Sequence, residues 1–226
     1  MKTSIDGSTR LRRAQLSDEV AGHLRAAIMS GTLRPGTFIR LDETAASLGV
    51  SATPVREALL TLRGEGMVQL VPNRGHLVRP LSREDIEDVF WLQATIAREL
   101  AATAARRITD ATVDELETLI GDLSSAVAAA DAAAVADVEF AFHRTFNRAA
   151  ERTKLAWFLL HVARYMPPMV YAADPQWGAA AVDNHRRLVA ALRRRDTAEV
   201  VRLTDWQFAD GARRLLAHLE ASGIWA

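Results

Sequence analysis

The chain contains no cysteine. That excludes disulfides and thiolate-bound metal, and it suits a reducing cytoplasm, where we expect this protein to reside. No apolar stretch reaches the roughly 18 charge-free residues of a membrane-spanning helix, so no membrane partner is expected. The start, Met1 to Arg13, is polar and basic without an apolar segment, which is not the pattern of a secretory signal. Net charge is missing too, since 28 Lys and Arg balance 28 Asp and Glu over 226 residues. That neutrality is a cancellation. Residues 1–80 hold 11 basic and 7 acidic residues, a net of +4, and residues 81–226 hold 17 and 21, a net of −4. The basic excess falls on the first part, as attraction to phosphate requires, and an acidic second part is a poor surface for DNA.

What is present begins with the run from Gly49 to Arg63. Gly49 is placed to end a helix over 43–48, because glycine takes the left-handed C-terminal position without steric cost. Ser51 is a good N-cap for the next helix, and Pro54 is harmless in a first turn whose amides lack intrahelical partners. Val55, Leu59 and Leu62 recur on one face to be buried. Thr53 and Arg56 sit three apart on the exposed first turn, where a recognition helix meets phosphates and base edges. An ordinary helical hairpin with a solvated Arg56 has the same pattern, so the next segment decides. Met67 to Val71 and His76 to Arg79 are short strand-like runs around Pro72, Asn73, Arg74 and Gly75. A helix-turn-helix followed by a β-hairpin is a winged helix. Arg74 at its tip would reach the DNA backbone or minor groove, and Gly75 would allow close approach.

The rest divides at Pro80. A flexible arm is expected over 1–14, its Arg10, Arg12 and Arg13 solvated or touching DNA. A helix then follows from Ser17 to Met29, striped by Val20, Leu24 and Ile28 and broken by Gly31 and Pro35-Gly36. Phe38, Ile39 and Leu41 lead into the second helix. Beyond Pro80, Ser82 and Asp85 form a capping box for a new helix. Only helices follow, over 83–107, 110–130, 132–150, 153–172, 176–195 and 197–220, with breaks at Thr109-Asp110, Asp131, 151–153, Asp174-Pro175 and Asp196. The expected fold is therefore mostly α. A winged helix-turn-helix with a small β-hairpin occupies 1–80, and an antiparallel bundle of six to seven helices occupies 81–226. Trp91, Trp157, Phe158 and Trp177 read as core or interface packing.

The bundle holds one polar constellation. Glu139 and His143 are four apart on one helix, so they face the same way, among Val135, Phe142 and Phe146. His185 lies on a later helix. Two histidines and a carboxylate can hold a divalent metal with positions left open for water or an effector. The other readings are histidines that meet a ligand directly, or core histidines satisfied by hydrogen bonds.

The segment Ile28-Met29-Ser30-Gly31-Thr32-Leu33-Arg34-Pro35-Gly36, the helix from Leu48 to Leu59, the run Gly64-Glu65-Gly66-Met67-Val68 and the wing glycine Gly75 together resemble the GntR family of bacterial transcriptional regulators. The resemblance implies DNA contacts at Ser51, Thr53, Arg56, Arg74 and Gly75. It also marks a departure, because the family usually carries arginine where this chain has Ala52, which removes one frequent contact. The helical part resembles the FadR subgroup, whose FCD domain binds a small effector. There an Asp and a His four apart, a second His and a third His hold a divalent metal, and the matching positions here are Glu139, His143, His185 and Gln207. The resemblance thus implies one divalent metal per chain, Zn, Ni or Mn, with glutamine as a poor substitute for the last ligand. It implies an effector pocket drawn from Gln93, Arg164, Tyr165, Asn184 and Gln207. Gln93 stands where many such domains place an arginine for an effector carboxylate, and Arg98, Arg144 and Trp206 are alternatives.

The resemblance further implies a homodimer on a palindromic, double-stranded operator. It implies a regulator, more often a repressor than an activator, that responds to a small organic acid, with coupling through the linker near Arg79–Arg83. Two other functions fit parts of the sequence: a constitutive dimeric DNA-binding protein without effector, and a metal-dependent hydrolase at Glu139, His143 and His185. The second leaves the winged helix unexplained, and the expectation is that the chain is not an enzyme.

Overall fold

The computed structural model describes residues 8–225, with side chains from Gln15 onward. The described residues form two compact units, one running to Ser82 and joined by the end of the chain from Leu219, the other spanning 83–218. Residues 1–7 of the expected arm, and the side chains of Arg10, Arg12 and Arg13, lie outside the described residues.

In the first unit, α1 (Ser8–Met29) starts nine residues before the expected helix and so takes up half of the arm expected over 1–14. It is followed by β1 (Phe38–Ile39), α2 (Leu41–Leu48), α3 (Ala52–Gly64), β2 (Val68–Val71) and β3 (Gly75–Val78). The hairpin forms as expected, pairing Val68 with Val78 and Val71 with Gly75. The segment expected only to lead into α2 supplies a third strand, pairing Phe38 with Leu77 and Ile39 with His76, so the sheet order is β1-β3-β2. The stripe Val20, Leu24 and Ile28 of α1 and the face Val55, Leu59 and Leu62 of α3 are buried, joined by Ile39, Val68 and Val78 from the sheet. Burial on this scale drives the packing, at about 1.5–3 kcal/mol for each large aliphatic side chain.

Gly49 ends α2 in the left-handed conformation, φ 66°, and its N–H reaches the carbonyls of Ala45 and Ala46. Ser51 occupies the N-cap position of α3 with extended backbone but makes no side-chain cap bond. Its hydroxyl is exposed and left to other partners.

One buried ion pair in this unit has no hydrophobic signature in the sequence. Arg25, 1% exposed, donates from Nε and Nη2 to the two carboxylate oxygens of Glu65 at 2.8 and 2.6 Å. This fork ties the last turns of α1 to the residue after α3, and Ser17, at the middle of α1, bonds Glu57 on α3. The recognition helix is thus held from behind at two points. The end of the chain belongs here as well. Leu219 is fully buried, Arg34 donates to the Ser222 carbonyl at 2.7 Å, and the Trp225 indole donates to the Leu81 carbonyl at 2.5 Å. The described residues 219–225, expected as part of the bundle over 81–226, therefore group with the winged-helix unit.

The second unit is helical throughout: α4 (Arg83–Arg107), α5 (Asp110–Ala128), α6 (Ala132–Arg148), α7 (Thr153–Ala163), α8 (Pro168–Ala172), α9 (Pro175–Arg193) and α10 (Thr197–Ala221). The helix starts follow the capping residues. Thr112 N–H donates to Thr109, Ala134 N–H to Asp131, Gln176 N–H to Asp174 and Glu199 N–H to Asp196. The segment expected as one helix over 153–172 is two. Pro168 lacks an amide donor and biases Pro167 towards extended backbone, so α7 stops before the pair and α8 starts on it. Leu100, Leu116, Leu123, Phe142, Leu188, Leu192 and Leu203 form the centre of the core. Of the aromatics expected in core or interface, Trp177 packs against that core, whereas Trp91, Trp157 and Phe158 are at least half exposed. On α9 and α10, Gly178 and Gly211 let neighbours close in. A Cβ there would stand 2.9 Å from Val127 and from Phe90 respectively.

Replacing Arg25 with alanine strands Glu65 beside a cavity. The expected loss is about 1–3 kcal/mol from the winged-helix unit, the cost of removing charge-assisted bonds from a pair buried on the Arg25 side and 20% exposed on the Glu65 side. Urea unfolding of the full chain, followed by a probe in that unit, measures it; a loss under about 0.5 kcal/mol would mean that the fork is not structural.

Candidate nucleic-acid interface and metal centre

The candidate DNA contacts fall on two elements of the winged helix. Ser51 and Arg56 are exposed and Thr53 partly so, all at the first turns of α3, with Val55, Leu59 and Leu62 buried behind them. Ala52 opens the helix with no polar group to offer. Arg74 lies in the β2–β3 turn, where its N–H closes on the Val71 carbonyl at 3.0 Å. Its guanidinium lies over the Phe38 ring, 4.9 Å from the centroid, so β1 pre-orients an exposed cation. Gly75 has an internal reason to be glycine. Its φ is +106°, and a Cβ would stand 3.0 Å from the Ile39 carbonyl oxygen. Glu57, on the same helix as Arg56, is engaged by Ser17. The sequence reading passed over Phe38, whose stacking partner is 36 positions away and leaves no local pattern.

The second constellation sits between three helices of the second unit. Glu139 and His143 come from α6, His185 from α9 and Gln207 from α10. His185 is fully buried, and its Nε2 lies 3.0 and 3.2 Å from the two carboxylate oxygens of Glu139. His143 Nε2 is 3.3 Å from Glu139 Oε2 and 2.7 Å from the side-chain nitrogen of Gln207. One ligating atom from each of Glu139, His143 and His185 lies within 4.8 Å of the others. Phe142 fixes the rings, stacking flat on His185 at 4.0 Å and meeting His143 edge-on at 5.5 Å. Burial alone pushes the Glu139 carboxyl up. The charge of His185 and hydrogen bonds from both histidines outweigh that and hold it well below the usual carboxylate range.

This donor set fits a divalent ion. A carboxylate and two imidazole nitrogens converge on one point, and the site is open enough on the His143 side, where 31% of the side chain is exposed, to leave positions for other ligands. The fourth position is glutamine, whose nitrogen is not a ligand and whose oxygen is a neutral, hard donor.

The remaining pocket candidates scatter. Gln93 on α4 is fully buried; its amide donates to the Val162 carbonyl at 3.2 Å, and its oxygen has no partner among the described residues. Asn184, 2% exposed and adjacent to His185 in sequence, has neither amide atom partnered, and His185 Nδ1 is likewise buried without a partner. Tyr165 is partly buried in the turn between α7 and α8, but Arg164, just before it, is exposed. Arg144 is exposed too, and Arg98 pairs with Asp205 at 3.3 Å.

A winged helix joined to an all-helical unit with a histidine-carboxylate cluster defines a class of two-part regulators. Residues 16–78 match the model of "Bacterial regulatory proteins, gntR family", and residues 88–220 match that of the FCD domain. The chain belongs to the GntR family of transcriptional regulators, in the FadR-like group that carries a C-terminal FCD domain. It is 30% identical over 190 residues to the "Probable D-xylose utilization operon transcriptional repressor" of Paenarthrobacter nicotinovorans, covering 82% of each chain. A regulator from Agrobacterium vitis is 37% identical over 108 residues, which span 47% of this chain and 62% of that one. The solved structure of E. coli McbR/YncC has the same fold, with a TM-score of 0.69 at 23% identity over 92% of this chain and 98% of that one. These relatives are regulators rather than enzymes, and the hydrolase reading falls with them. No described helix is long and apolar enough to cross a membrane.

Removing the carboxylate by Glu139→Ala leaves His185 buried with neither nitrogen paired. The expected cost is about 1–3 kcal/mol, read as a lower melting temperature of metal-stripped protein. An unchanged melting temperature would mean that the cluster is not a structural partnership.

Proposed function

We propose that this regulator binds a palindromic operator as a homodimer, acts chiefly as a repressor, and releases DNA when a small effector occupies the helical domain. What supports DNA binding is the exposed start of α3 backed by a packed face, with Arg74 pre-oriented on the wing. Ser51, Thr53 and Arg56 face the major groove in this reading, and Arg74 the backbone or minor groove. Two-fold symmetry puts the half-sites about one helical turn apart.

The observation that carries the effector reading is the unpaired buried polarity within the helical unit. The Asn184 amide, the Gln93 oxygen and His185 Nδ1 are buried without partners among the described residues. Each such group costs about 1–3 kcal/mol, which a ligand offering matched donors and acceptors recovers. A constitutive DNA-binding protein has no use for that polarity. In this reading Glu139, His143 and His185 hold one divalent ion, which supplies a positive charge and open positions for an acidic ligand. Asn184 and Gln93 select its neutral polar groups. Arg164, being exposed, is at most a rim contact.

Enrichment of bound duplexes from a random pool tests the DNA half. A dyad-symmetric site is the expected outcome, and a non-symmetric consensus or none overturns the dimer-on-palindrome reading. On the selected site, Arg56→Ala should weaken binding about 10- to 100-fold and relax base preference at one position per half-site. Arg74→Ala should weaken binding more evenly across sequences and lower the salt slope by about one per subunit. Equal loss at every position for both variants would remove Arg56 from base readout.

A further inference from the structure

The amide of Gln207 stands in a conflict that only one orientation resolves. His143 Nε2 has two close neighbours, the Glu139 Oε2 acceptor at 3.3 Å and the Gln207 side-chain nitrogen, a donor, at 2.7 Å. A protonated Nε2 gives its hydrogen to the carboxylate and then faces the amide hydrogens head-on. A bare Nε2 accepts from the amide and then turns its lone pair on the carboxylate. One ring nitrogen cannot serve both. His185 has no such problem, because its Nε2 meets carboxylate oxygens only. Two arrangements relieve His143. In one, the Gln207 amide rotates half a turn and its oxygen accepts from Nε2–H. In the other, a cation sits among bare ring nitrogens and the carboxylate, and the amide again turns its oxygen inward. Both place the oxygen of Gln207, not its nitrogen, towards the cluster.

We propose that Gln207 is the fourth inner donor of a divalent-cation site, through its amide oxygen, and that it sets which ion the site holds. The site then offers two imidazole nitrogens and two oxygens with a single negative charge. It is poorer in nitrogen than a three-histidine site, and its loss in affinity is greatest for the nitrogen-preferring ions Zn2+ and Ni2+ and smallest for Mn2+, which takes neutral oxygen readily. The carboxamide is also uncharged, so the bound ion keeps more net positive charge for an acidic effector than it would beside a second carboxylate. Gln207 is half-buried on α10, so its rotation needs no backbone change. This proposal rests on reading Glu139, His143 and His185 as metal ligands.

The test is equilibrium dialysis of full-length, metal-stripped protein against Mn2+, Ni2+ and Zn2+ separately, for wild type and for Gln207→His, Gln207→Glu and Gln207→Leu, each checked for a native melting curve. Expected are about one ion per chain for wild type and a loss of Mn2+ affinity of at least tenfold in Gln207→Leu. Gln207→His should gain at least tenfold for Zn2+ and Ni2+, with a smaller change for Mn2+. Gln207→Glu, which keeps an oxygen in place, should hold Mn2+ at least as tightly as wild type and stands in as the decisive variant if Gln207→Leu does not fold. Wild-type affinities in Gln207→Leu, or a loss of Mn2+ binding in Gln207→Glu, overturn the donor role and leave the three-residue metal site standing. Metal binding by Gln207→His alone overturns it too, because the cluster is then competent but the amide is no ligand. No binding by any form removes the metal reading itself and this inference with it.

Discussion

The helical unit is built around the cost of burying one carboxylate. Glu139 projects from α6 into a core of Leu116, Leu123, Phe142, Leu188 and their neighbours, where an unpaired charge is untenable. The sequence answers with two imidazoles brought from opposite directions, one a turn along the same helix and one from α9. Everything that aligns α6 with α9 serves that meeting: the cap at Asp131, the Asp174-Pro175 start of α9, the flat stacking of Phe142 on His185, and the close approach of α9 to Val127 that Gly178 permits. Replacing the polar trio with hydrophobic residues of like volume is a plain route to a more stable bundle. That the chain keeps it instead is a reason to look for function there.

The winged-helix unit spends its buried polarity on a different purpose. In the proposed reading the start of α3 and the wing face the DNA, and base readout discriminates only if both are presented rigidly. Ser17 and Arg25 reach across from α1 to the middle of α3 and to the residue just after it, and Phe38 supports Arg74 from β1. With alanine at position 52, Arg56 is the cation on the first turns of α3, and in the proposed reading the operator is read by correspondingly fewer side chains.

Much of this was legible from local pattern. Gly49 and the stripe of α3, the hairpin around Pro72–Gly75, and the helix starts at Thr109, Asp131, Asp174 and Asp196 all depend on residues within four positions of one another, and all form. So does the Glu139–His143 pair, because helical spacing alone sets its direction. What escaped was set by tertiary context. The Phe38–Ile39 strand is two residues long and exists because β3 offers a free edge. Pro167-Pro168 divides a segment whose apolar content hid the break. The ion pair of Arg25 with Glu65 joins residues 40 apart, and nothing in the pattern of α1 marks that arginine as buried. Ser51 shows the converse, a residue of the right type at the right place whose cap bond is not made. The exposed Trp91, Trp157 and Phe158 show that a large aromatic does not by itself identify core.

The two units are joined by the chain twice, at Ser82–Arg83 and at His218–Leu219. The sequence alone pointed to the first junction as the route of coupling. The second has equal standing, because α10 is one uninterrupted helix from Thr197 to Ala221. It carries Gln207 at the polar cluster and Leu219 in the core of the DNA-binding unit. An effector changes operator affinity only if it binds one arrangement of the DNA-binding units better than another. Under the proposed function, a ligand that repositions Gln207 acts on the helix that leads to Leu219, and the chain just past that helix is held by Arg34 at Ser222 and by the Trp225 indole at Leu81. In that reading the continuous helix makes the C-terminal junction a second candidate route for the signal, since one element carries both Gln207 and the buried Leu219.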